Sequence, residues 1–198
     1  TATELDPIAV YKKLAAISPN PFSCYYRAGH RHLLCASPER FMVKRGKVLI
    51  TQPMKGTAAR GNSVQEDRVQ LSSLLNSEKE RAENIMIVDL ARNDLSKVAE
   101  RGSVRVEELC GVYSFTRSHQ MISTVSCKPE NQITFTKILK ALFPMGSMTG
   151  APKISAMAII DGMENFRRSL FSGTVGYLSP DGDFDFNVVI RSILYNQE

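Results

Sequence analysis

Ile8, Tyr11, Leu14 and Ala15 recur at helical spacing near the start of the chain. Asp6 and Pro7 precede them as N-cap and first-turn proline, and Pro19-Asn20-Pro21 follows as a stop. The pattern predicts a helix between these two signals. Four apolar runs of strand length come next, at residues 23–28, 32–36, 41–44 and 47–51, the last two joined by a turn at Arg45-Gly46. Residues 65–75 return to helical spacing through Val69, Leu71, Leu74 and Leu75. Ser77 and Glu80 then stand as a capping box, which predicts a new helix running to about Leu95. Residues 104–106 and 115–125 read as extended and 135–142 as helix. A breaker-rich loop, 143–152, leads into a further helix at 153–163. The runs 172–179 and 184–195 read as two strands around the turn Pro180-Asp-Gly-Asp183. This order is not a regular strand–helix alternation. It predicts an α+β fold, antiparallel sheets with helices packed outside.

Composition narrows the function classes. The 198 residues are 43% hydrophobic and 23% charged, as in a globular domain large enough to bury a core. No apolar run reaches membrane-spanning length, and the first residues carry neither a basic nor an apolar signal region. A cytoplasmic protein without membrane contact is expected. Cys24, Cys35, Cys110 and Cys127 are scattered, and with only three histidines no zinc pattern arises. The net charge of +5 is spread among acids rather than gathered in a basic stripe. That excess suits a small anion, and no nucleic-acid partner is expected.

Four stretches carry candidate chemistry. The first is Lys55, in Gln52-Pro-Met-Lys-Gly-Thr57, which reads as a tight turn after a strand, with Glu39 upstream in Ser37-Pro-Glu-Arg-Phe41. An amine and an acid on neighbouring strand ends suit a nucleophile and a general acid, or else a surface ion pair. The second is Glu80 and Glu83, spaced i, i+3 on one helix face. Such a pair suits a hard cation such as Mg²⁺, or else a solvated acidic helix start. The third is the glycine-rich loop Gly146-Ser-Met-Thr-Gly-Ala-Pro-Lys153, which enters a helix and offers backbone N–H groups to an anion, a carboxylate rather than a nucleotide phosphate. The fourth is Arg191 with Tyr177 on adjacent strands, a carboxylate clamp or an exposed pair.

These stretches, together with Arg81-Ala-Glu-Asn-Ile-Met-Ile-Val-Asp-Leu-Ala-Arg-Asn-Asp-Leu95, His119, Phe171-Ser-Gly-Thr-Val-Gly-Tyr-Leu178 and Phe186-Asn-Val-Val-Ile-Arg191, resemble the chorismate-binding enzymes over nearly the whole chain. Within that family the lysine turn is similar to the aminodeoxychorismate synthase branch of p-aminobenzoate and folate synthesis. The anthranilate synthases, the alternative, carry a small residue there. The resemblance implies that chorismate binds with Mg²⁺, held by Glu83 with Glu80. It implies that Glu39 protonates the departing C4 hydroxyl while Lys55 attacks C2. Ammonia, supplied by a glutamine amidotransferase subunit, then adds at C4 and releases Lys55. His119 is expected near C4, Thr149 and Gly150 at the ring carboxylate, and Tyr177 and Arg191 at the enolpyruvyl carboxylate. The family's last motif, with its second glutamate pair, is expected after Tyr195. On that comparison residues 1–198 read as one catalytic domain truncated at both ends. Weak activity, or a silent chorismate-binding fragment, is then expected.

Overall fold

A computed structural model describes residues 5–197. Helix α1 (Pro7–Ile17) starts where the sequence places it, with Asp6 accepting from the backbone of Ile8 and Ala9. It packs on a three-stranded antiparallel sheet of β1 (Phe22–Ala28), β2 (Arg31–Ser37) and the last strand, β10 (Ser192–Asn196), with β2 in the middle.

The larger sheet has seven strands. They are β3 (Arg40–Arg45), β4 (Val48–Thr51), β5 (Met54–Ala59), β6 (Arg105–Ser114), β7 (Ser118–Cys127), β8 (Gly176–Leu178) and β9 (Phe184–Asn187). Its spatial order is β5-β7-β4-β3-β9-β8, and β6 lies along the other edge of β7. Every pairing in both sheets is antiparallel.

Helices α2 (Val64–Leu75) and α3 (Glu78–Ser96) pack on β5, β6 and β7, and α4 (Phe135–Leu142) packs on α3. The main core lies between α3, α4 and one sheet face. Val88, Leu95, Ile138 and Leu142 meet Met42, Leu49, Val125 and Phe184 there. Each of these side chains is almost fully withdrawn from water, which stabilises by about 1.5–3 kcal/mol apiece. That packing fixes α3, and with it the carboxylates near its start, on the sheet.

Three segments differ from the sequence expectation. The Lys55 segment is not a turn but part of β5, paired with β7. Residues 184–195 are not one strand. They divide into β9 and β10, which belong to different sheets, and Arg191 between them takes φ +50°. Strand β6 runs from Arg105 to Ser114, well beyond Val106, and two register shifts absorb Glu107 to Cys110. Helix α5 (Lys153–Met163) begins after the expected loop, but none of its residues is buried. No helix among the described residues is long and apolar enough to cross a membrane.

Candidate active site

The two sheets join at two chain crossings. Ser37-Pro38-Glu39 carries the chain from β2 to β3, and Val188 to Arg191 carries it back from β9 to β10. Backbone bonds zip the crossings together, Val188 N to Glu39 O at 3.1 Å and Ala36 N to Arg191 O at 3.1 Å. A left-handed backbone at a non-glycine residue costs about 1–3 kcal/mol and persists only where its surroundings impose it. Here the paired crossings hold Arg191 in that geometry. Glu39 and Arg191 thus arrive side by side from sequence positions far apart.

Strand β5 closes the pocket. Its pairing with β7 passes from Met54↔Ile122 to Thr57↔Gln120, so three steps on β5 stand against two on β7. This is a β-bulge at Lys55-Gly56, and bulges re-aim side chains. Gly56 sits at φ +105°, where L side chains are strained. A Cβ there would also come within 3.2 Å of the Cβ atoms of Glu80 and Met121. Glycine meets this position without strain or crowding.

Helix α3 forms the third wall. Ser77 caps it by accepting from Glu80 N at 3.3 Å. The reciprocal half of the box is not made, because Ser77 N donates to Leu74 O at 3.2 Å. The Glu80 carboxylate is left to face Gly56 instead. One turn on, Glu83 Oε2 lies 3.2 Å from Lys55 Nζ.

These walls enclose an open pocket of about 410 Å³, within the usual range for small-ligand sites. Glu39, Lys55, Glu80, Glu83 and Arg191 all line it, as do Thr57 and Gln120, whose side chains bond to each other at 2.7 Å. Glu39 is the buried ionisable member. Burial pushes its carboxyl up to about 7, against smaller opposing pulls from the Ser147 hydroxyl, the Met54 backbone N–H and the Lys55 charge. A carboxyl so placed retains a proton near neutral pH and can give it away. Glu39 also borders a small cavity of about 30 Å³, shared with Ser147, Thr51 and Ile87. The Ser147 hydroxyl is buried beside the carboxyl but makes no hydrogen bond of ordinary geometry. The loop bearing Ser147 is anchored by Lys153, whose amine bonds to Leu142 O and to the buried carboxylate of Asp94.

Four expected residues stand apart from this pocket. His119 is fully buried, with Nδ1 2.8 Å from Ser114 Oγ and Nε2 3.0 Å from Asp67 Oδ1. Asp67 also takes a two-pronged bond from Arg60, and that guanidinium holds its carboxyl well below the usual range. The N–H groups of Thr149 and Gly150 both donate to Gly146 O, closing the end of the short 3₁₀ helix Gly146–Met148 with one i→i−3 and one i→i−4 bond. Thr149 instead borders an apolar depression with Phe143, Met157 and Phe166. Tyr177 accepts from Arg45 at 2.8 Å and pairs with Asp185, which pairs with Val43. Tyr177 thus lies two strands beyond Val43, which is itself four residues on in sequence from Glu39.

The carboxylates fit a hard divalent cation in kind. Mg²⁺ is commonly held by one or two protein carboxylates with water and substrate oxygens, and Glu80 and Glu83 both reach the pocket. No cluster of three or more potential ligating side chains exists among the described residues, so no all-protein cage is present. Sequence reasoning missed Gln120, Thr57 and Ser147. Alternation along β7 places Gln120 on the opposite side from His119, but only the register of β5 reveals which side is the pocket.

The family model for chorismate binding enzymes matches residues 1–198. The chain is 43% identical over 196 residues to the chloroplastic aminodeoxychorismate synthase of Arabidopsis thaliana, covering 98% of this chain and 21% of that one. It is 39% identical over 187 residues to aminodeoxychorismate synthase component 1 of Bacillus subtilis, covering 94% and 40%. The chain therefore spans well under half of each relative. Among solved structures, anthranilate synthase component I from Streptococcus pneumoniae superposes with a TM-score of 0.87 at 32% identity, over 97% of this chain and 42% of that one. The α+β architecture is thus that of a known catalytic fold, and the chain belongs to the chorismate-binding enzyme family.

Proposed function

We propose that this chain carries the site at which chorismate is aminated to 4-amino-4-deoxychorismate. The observation that supports it most is the convergence of Lys55 and the raised Glu39 on one pocket that Arg191, Glu80 and Glu83 also line. A dicarboxylate substrate suits that lining, because Arg191 offers a forked cationic donor for one carboxylate. Glu39 gives its proton to the C4 hydroxyl, which leaves as water. Lys55, reacting as the free amine, forms a bond to C2 as both ring double bonds shift and the C4–O bond breaks. Ammonia then bonds to C4, both double bonds shift back, and the C2–N bond to Lys55 breaks. A magnesium ion held by Glu80 and Glu83 would neutralise the ring carboxylate and weaken the hold of Glu83 on the Lys55 ammonium.

The name of the Bacillus subtilis relative, a component 1, supports a second component. We assign that partner the chemistry of a glutamine amidotransferase, the source of ammonia. Lys55 is also the residue that favours this product over anthranilate. Incubation of the intact protein with chorismate, Mg²⁺ and ammonium, followed by chromatography, separates the two. Aminodeoxychorismate is expected. Anthranilate, or no conversion at any ammonium concentration, overturns the proposal.

A further inference from the structure

We propose that Asn84 is the positioning residue of Lys55, its side-chain amide holding the bulge that aims the amine into the pocket. The inference rests on the reading of Lys55 as the reactive amine. Asn84 lies inside α3 and is fully buried. Asparagine is a poor helix former, and a buried amide needs partners for both ends. It has them. Nδ2 donates to Lys55 O at 3.2 Å and to Met121 O at 3.3 Å, and Oδ1 accepts from Ser123 Oγ at 2.5 Å. Ser123 Oγ in turn accepts from Cys110 N at 2.8 Å, and Ser123 N donates to Pro53 O at 3.1 Å. The network grips the chain at Pro53, just before β5, and at Lys55 within it.

The location of these bonds carries the argument. Lys55 and Gly56 fall in the gap between the pairs Met54↔Ile122 and Thr57↔Gln120, where the ladder is interrupted. The Lys55 carbonyl needs another donor, and Asn84 supplies it. The neighbouring residue, Glu83, meets Lys55 Nζ. One turn of α3 thus holds Lys55 at both ends, the backbone through Asn84 and the amine through Glu83. Ser123 fixes which end of the amide faces the bulge, because its hydroxyl occupies Oδ1.

Asn84→Asp tests this in the intact protein. The substitution keeps the shape and the acceptor but removes both donors. Ser123→Ala keeps the amide and frees its orientation. Limiting acetic anhydride labels amines, and peptide mass spectrometry compares Lys55 with the exposed Lys47 in the same molecule. Loss of the anchor releases Lys55 from Glu83, so the Lys55-to-Lys47 labelling ratio should rise threefold or more in Asn84→Asp and less in Ser123→Ala. The kcat for chorismate should fall at least tenfold at nearly unchanged KM, since small misplacements of a reacting group cost that much. Equal labelling ratios and equal kcat per folded molecule in both variants would overturn the proposal. If Asn84→Asp does not fold, the Ser123→Ala ratio decides alone. The labelling needs no chorismate, so a wild type inactive toward chorismate refutes the reading of function and leaves this test standing.

Discussion

Glu39→Gln should make the protein more stable in mild alkali while slowing its chemistry by orders of magnitude. Glu39 is 5% exposed, and burial raises its carboxyl from 4.5 to about 7. Such a rise corresponds to about 3 kcal/mol of extra cost to ionise in the folded state. The sign follows from proton binding. Between about pH 4.5 and 7 the folded chain keeps this proton and the unfolded chain has lost it, so stability falls as pH rises. Below 4.5 both states hold the proton and the contribution is intact. Above 7 both have released it and the full cost is present. Glutamine has the same shape and no such cost. Urea denaturation of wild type and Glu39→Gln at steps from pH 4 to 8.5 should therefore give curves that diverge by up to about 3 kcal/mol across that window and run parallel outside it. Chorismate turnover in the variant should fall by about 10²–10⁴, the usual worth of a positioned general acid. Stability curves that stay parallel from pH 4 to 8.5 would refute the account, because the carboxyl would then not be held protonated by burial.

Lys55→Ala should abolish turnover yet change stability little. The pair with Glu83 is roughly 40% exposed on each side, and such pairs contribute about 0–1 kcal/mol. A loss above 2 kcal/mol in urea, far beyond that range, would mean that the lysine is chiefly structural. Gly56→Ala should destabilise by about 1–3 kcal/mol, combining the strain of φ +105° with the crowding of Glu80 and Met121, and a melting curve superposable on wild type would contradict this. Ser147→Ala removes a hydroxyl that favours the charged form of Glu39, so the carboxyl should titrate higher still. Carbon-13 NMR of labelled glutamate would register this, and an unchanged or lower midpoint would separate Ser147 from Glu39.

The bulged strand at the centre of these predictions shows where the sequence was legible and where it was not. Helix starts depend on a few neighbouring residues, so Asp6, Ser77 and Thr134 cap helices close to where the pattern places them. Glu39 and Lys55 were legible as an acid and an amine on constrained backbone, and they do share a pocket. The kind of constraint was not. Pro53 and Gly56 punctuate a turn by local rules, but β7, more than sixty residues away, draws the segment into the sheet, and Gly56 serves a bulge instead. Likewise, nothing near Arg191 announces that its strand changes sheets, because the cause is the distant crossing at Glu39. The resemblance placed His119 near C4 of the substrate, whereas Asp67 and Ser114 meet both its nitrogens here. The one missed signal within reach was Asn84. It shares a helical stripe with the buried Ile87, Val88 and Leu95, at intervals of three, four and eleven residues. A polar residue in such a stripe must find partners indoors, and here they are the Lys55 carbonyl on β5 and the Met121 carbonyl on β7, the strand paired with it.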